Sequence, residues 1–78
     1  MMEENLVRFI VENLVSYPDQ VRVEQRQAGK SVVVQLHVAQ EDMGRVIGRN
    51  GRVANAIRHL LRVAFEDRQG QRVILEID

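Results

Sequence analysis

Cysteine is absent from the 78 residues, and its absence excludes both a disulfide framework and a thiolate metal site. A small domain without such staples fits a reducing compartment, so a cytoplasmic setting is the expectation. Proline occurs once and no stretch is compositionally biased, which speaks against a disordered tail or a linker. No apolar run approaches the ~20 residues that a membrane span requires. The chain opens Met1-Met2-Glu3-Glu4, acidic where a signal peptide is basic, so neither secretion nor membrane association is expected. Aromatics are reduced to Phe9, Tyr17 and Phe65. Phe9 and Phe65 fall at helical positions suited to a core, so aromatic stacking platforms, worth ~1–3 kcal/mol per base, are not expected on a nucleic-acid surface.

An excess charge of either sign is also missing: Lys plus Arg and Asp plus Glu number 11 each. The total speaks against a nucleic-acid-binding domain, but the distribution does not. Arg45, Arg49, Arg52, Arg58 and Arg62 fall between Met43 and Phe65, a stretch without acids, while the acids gather in residues 1–42 and towards the carboxyl end. Catalytic equipment is likewise lacking. No nucleophile–base pair and no glycine-rich loop ending in Gly-Lys-Ser/Thr is present, and the carboxylates are scattered. His37 and His59 have no spacing that would assemble a metal site. The expectation is a non-enzyme without cofactor or metal.

What is present is a regular alternation of patterns. Leu6, Val7, Ile10, Val11 and Leu14 recur at helical spacing over residues 3–15, with Glu3 and Glu4 where the helix dipole favours negative charge, and Tyr17-Pro18-Asp19 is expected to end that helix. Val21 to Glu24 alternates as a strand does, and Val32, Val34, Leu36 and Val38 repeat the pattern after Ala28-Gly29-Lys30, which predicts a hairpin. Glu41 to Ile47 reads as a short helix, Gly48 to Gly51 as a break, and a longer helix follows with Val53, Ile57, Leu60, Leu61 and Ala64 on its buried side. Gly70 precedes a last strand, Arg72 to Ile77. The order α-β-β-α-α-β over residues 1–78 predicts one α+β domain, a three-stranded sheet with three helices on one face. No internal repeat is present.

The break Gly48-Arg49-Asn50-Gly51 carries the functional signal. Glycine accepts positive φ and has no Cβ to hold a ligand away. A sugar-phosphate backbone can therefore approach N–H groups at the start of the following helix, where the dipole favours phosphate. Arg49 and Arg52 add full charges. Asn50 offers either an amide donor or tolerance of the left-handed conformation. Arg45 precedes the loop and could reach a phosphate. Arg58 and Arg62 share a helix face and are either phosphate contacts or a solvated surface shielding apolar neighbours. Gly44 is expected to allow close helix packing.

The Ile-Gly-x-x-Gly signature between two helices, preceded by strands, resembles the KH domain, in the type II order found in bacteria. Nearly the whole chain, including Val38-Ala39-Gln40-Glu41-Asp42-Met43-Gly44-Arg45-Val46-Ile47-Gly48, is similar to the small stand-alone KH proteins of the KhpA family. That resemblance implies a cytoplasmic RNA-binding protein acting as an RNA chaperone. It also implies pairing with a larger KH-containing partner of the KhpB (Jag) kind, or with a second copy, in control of cell shape and peptidoglycan homeostasis. Carried over, Gly48 to Gly51 would clamp about four nucleotides of single-stranded RNA. The bases would lie in a groove with Val46, Ile47, Ala54 and Ile57 or Arg58 on one wall and a sheet edge on the other. The loop position often occupied by Lys in relatives is Arg49, which keeps the charge. The rival reading is a protein-interaction module with incidental RNA affinity. With ~2–4 phosphates neutralised, affinity for single strands would fall with salt at a slope of about −0.7 per contact.

Overall fold

In the computed structural model, which describes residues 2–66 and 70–78, the alternation of valines in residues 31–37 becomes the central strand of a sheet. The elements are α1 (Met2–Glu12), β1 (Arg22–Ala28), β2 (Ser31–His37), α2 (Met43–Ile47), α3 (Arg52–Phe65) and β3 (Arg72–Ile77), with single 3₁₀ turns at Pro18–Gln20, Gln40–Asp42 and Arg49–Gly51. The sheet order is β1-β2-β3. β1 pairs antiparallel with β2 through the hairpin, placing Val23 opposite Leu36 and Gln25 opposite Val34. β3 pairs parallel with β2, placing Val34 beside Leu75 and Leu36 beside Ile77. A parallel pair needs a crossover connection, and α2 and α3 supply it. The fold is α+β, with a mixed three-stranded sheet and three helices, as the pattern predicts.

Alternation assigns the two sheet faces. Val23, Val32, Val34, Leu36 and Leu75 point to the helices and join Val7, Val11, Val46, Ile57 and Leu61 in one core. Each such side chain, once fully buried, contributes ~1.5–3 kcal/mol. The opposite face bears Arg22, Glu24 and Arg26 from β1 and Arg72, Ile74 and Glu76 from β3. Val33 is buried there as well, with Arg26 and Ile74 as its register neighbours.

Four expectations are corrected. The first helix stops at Glu12, before Tyr17-Pro18-Asp19, because the Asn13 side chain donates to the Phe9 carbonyl (2.7 Å) while its own N–H turns to Ile10 (3.2 Å). β1 runs on to Ala28, although Gln25-Arg26-Gln27 is polar, because an edge strand needs few apolar side chains. Phe9, Leu60 and Ala64 are exposed, not core. Gly44 does not serve close packing: a Cβ there would meet nothing within 4 Å.

Candidate nucleic-acid interface

Between α2 and α3 the chain reverses within four residues. Gly48 closes α2 by donating its N–H to the Gly44 carbonyl (2.8 Å) and adopts φ 77°, ψ 170°, a region essentially confined to glycine. A Cβ at Gly48 would stand 2.6 Å from Val53 Cγ2 and 2.8 Å from the Val53 nitrogen, so space as well as φ demands glycine. Asn50 follows in the left-handed region (φ 58°, ψ 25°), which settles the structural half of its role. Gly51, at φ 77° and ψ 14°, closes the turn by donating to the Gly48 carbonyl (3.1 Å). Around Gly51 there is room: a Cβ would meet only the Asn55 amide, at 3.6 Å.

Gly51 is also the residue before the first turn of α3, and no side chain caps that turn. The helix therefore presents N–H groups and its positive pole at an open loop. Arg49, Asn50 and Arg52 are exposed, and among the described residues neither arginine side chain makes an ion pair or hydrogen bond, although the Arg52 backbone N–H donates to the Arg49 carbonyl. Ile47 is partly exposed beside them and offers the loop's apolar contact.

The structure divides the other candidates. Val46 is fully buried (0% exposed) and Ala54 and Ile57 nearly so, because helix phase turns them to the sheet with Leu61; they support the loop from beneath and present no side chain to a groove. Arg45 donates to the Leu14 carbonyl (3.4 Å), bracketing α2 to the exit of α1 rather than facing the loop. Arg62 lies 3.9 Å from Glu66. Arg58 spans from α3 to the sheet: its guanidinium donates to Asn55 Oδ1 (3.2 Å) and to the Leu75 carbonyl of edge strand β3 (3.3 Å). Beside it opens a cleft of about 490 Å³ lined by Gln35, Arg58, Leu75, Glu76, Ile77 and Asp78. This identifies β3 as the sheet edge nearest α3, which sequence pattern alone left open. The carboxylates of Glu76 and Asp78 make the cleft unfavourable for phosphate.

One supporting residue carried no recognisable signal. Asp42 is only 1% exposed, and its two carboxylate oxygens accept the backbone N–H groups of Ser16 (2.9 Å) and Tyr17 (3.0 Å). An Asp before a helix suggests a cap for that helix; here it holds the segment leaving α1 and thereby fixes the base from which α2 and the loop project.

The model of the KhpA/KhpB KH domain matches residues 4–77. The chain belongs to this KH-domain family. The RNA-binding protein KhpA of Caldanaerobacter subterraneus is 46% identical over 72 residues, covering 92% of this chain and 95% of that protein. KhpA of Borreliella burgdorferi is 44% identical (96% and 90% covered), and KhpA of Clostridium acetobutylicum 40% identical (95% and 97%). Among solved structures, a variant of Era from Aquifex aeolicus bound to GDP and aluminium fluoride aligns with a TM-score of 0.56 over 97% of this chain and 29% of that chain. At 18% identity that likeness is one of fold alone. The KhpA/KhpB match spans every element of the fold, so loop, sheet and covering helices belong to the family together.

Proposed function

We propose that the chain is one KH domain over residues 1–78 that binds single-stranded RNA and does no chemistry on it. Gly48, Arg49, Asn50, Gly51 and Arg52 hold the sugar-phosphate backbone, Ile47 supplies apolar contact, and Arg58 stands where bases leave the loop towards β3. The observation that carries this reading is the exposed glycine turn at the uncapped start of α3, flanked by two unpaired arginines. The relatives named RNA-binding protein KhpA, at 36–46% identity over nearly the full length, support it. In the cell the reading extends to an RNA chaperone in the cytoplasm. It works with a larger KH-containing partner of the KhpB kind or as a homodimer, in control of cell shape and peptidoglycan homeostasis. Pairing has a physical motive, since joining two weak grooves raises avidity without new contacts.

The test is the double variant Arg49→Asp with Asn50→Asp, measured for thermal unfolding and for crosslinking to a short single-stranded RNA. Both positions are exposed, and Asp tolerates the left-handed conformation at residue 50. The expected result is lost crosslinking with an unchanged unfolding transition. Crosslinking that survives two added negative charges would leave only the interaction-module reading.

A further inference from the structure

The polar side of α3 that faces β3 continues well past the loop. Asn55, Arg58, Arg62 and Glu66 recur at helical spacing, which stacks them in one stripe that starts beside Gly51. Two of them hold β3 by its outer edge. The N–H groups of Arg72 and Asp78 turn to β2, donating to the carbonyls of Lys30 (3.0 Å) and Leu36 (2.9 Å), so the alternate residues Val73, Leu75 and Ile77 turn theirs outward. Glu66 accepts from the Val73 N–H (3.3 Å), and Arg58 donates to the Leu75 carbonyl (3.3 Å). Stripe and strand edge form one track, with the glycine loop at its head.

The charge changes sign along this track. The cleft beside Arg58 sets one base against the carboxylates of Glu76 and Asp78. Farther on, a second cleft of about 440 Å³ is lined by Arg62, Glu66, Arg72, Val73 and Ile74, two bases against one acid. Glu66 is already engaged by the Val73 N–H and lies 3.9 Å from Arg62, whose side chain stays 64% exposed. Among the described residues the Arg72 side chain makes no ion pair or hydrogen bond, and Lys30, whose carbonyl accepts the Arg72 N–H, adds another exposed base at this end of β3. Half-exposed Ile74 and half-buried Val73 supply an apolar floor. Phosphate is therefore disfavoured in the first cleft and favoured again in the second.

We infer that the Arg62–Arg72 cleft is a second site for the sugar-phosphate backbone, gripping the same RNA strand beyond the nucleotides clamped at the loop. The inference rests on the RNA-binding reading proposed above and extends it. Arg62 lies roughly 16 Å along α3 from Gly51. A stacked strand rising ~3.4 Å per nucleotide covers that span with ~5 nucleotides, and a more extended strand with fewer. The domain then holds up to ~9 nucleotides, where the loop alone clamps ~4.

Fluorescence anisotropy of the full chain with end-labelled, unstructured RNAs of ~4 and ~10 nucleotides tests this. The longer strand should bind ~30-fold or more tighter, beyond the several-fold that extra registers alone supply. Its salt dependence should be steeper by about 0.7 for each added phosphate contact. Arg62→Gln with Arg72→Gln should remove most of the gain from length, while its unfolding transition stays that of the unaltered chain because both side chains are exposed. Arg22→Gln with Arg26→Gln, the same loss of charge on β1 at the opposite sheet edge, should keep the gain. Equal salt slopes for the two lengths would overturn the inference, as would a gain that survives the Arg62 and Arg72 changes or falls equally with the Arg22 and Arg26 changes. Failure of the loop reading looks different: there Arg49→Asp with Asn50→Asp leaves binding of the shorter strand intact.

Discussion

Gly48 and Gly51 bound the same loop yet are glycine for different reasons. Gly48 combines a glycine-only φ/ψ with a Cβ position occupied by Val53, side chain and backbone both. Gly51 needs only the left-handed conformation and has free space around it. Gly51→Ala should therefore cost about 1–2 kcal/mol. Gly48→Ala should cost more, because ~1–3 kcal/mol of backbone strain is joined by a displaced first turn of α3. Chemical denaturation of the two variants gives the order; equal costs would mean that the tight approach to Val53 is readily relaxed. The spacing of these glycines was legible in the sequence because no other residue type explains a stop and a restart within four positions. The exposure of Phe9 and Leu60 was not legible, because hydrophobicity alone does not say which apolar residues on a helix turn inward. Phe9 lies two residues from both Val7 and Val11, about 200° of helix phase from either, while those two are fully buried.

At the scale of elements, the loop is as well placed as the segment beneath it. α2 has only five residues and cannot hold its own position by helix formation. Asp42 and Arg45 bind it to the exit of α1 from two sides, through Ser16 and Tyr17 in one direction and Leu14 in the other. Asp42→Ala should cost about 1–3 kcal/mol, since two part-buried backbone donors lose a charged acceptor. It should also broaden the amide signals of the Gly48–Gly51 loop, measured by denaturation and NMR; a loss below ~0.5 kcal/mol would show that water replaces the carboxylate. The elements were readable from periodicity in the order found, since β2 and α3 carry strong apolar patterns. Their ends were less so. Asn13 stops α1 through a side-chain contact that leaves no periodic trace, and β1 extends through polar residues because its outer face is solvated.

At the scale of the whole molecule, zero net charge conceals a division of labour. The helical layer is acidic on α1 and basic on α3, and the loop at the head of α3 concentrates unpaired arginine where the backbone is bare. With few aromatics and no excess charge, single-domain affinity for RNA should be modest, which makes pairing of domains advantageous. The edge of β3 and the reach of Arg58 to Leu75 emerged only from the fold, because a contact across 17 residues leaves no local pattern. The most direct measurement of the central claim is an amide NMR titration of the full chain with a short single-stranded RNA. The account predicts that the largest shifts gather at Gly48–Asn55, weaken as salt is raised, and extend to β3 through Arg58. Shifts absent from the loop, or confined to the outer faces of α1 and α3, would contradict it.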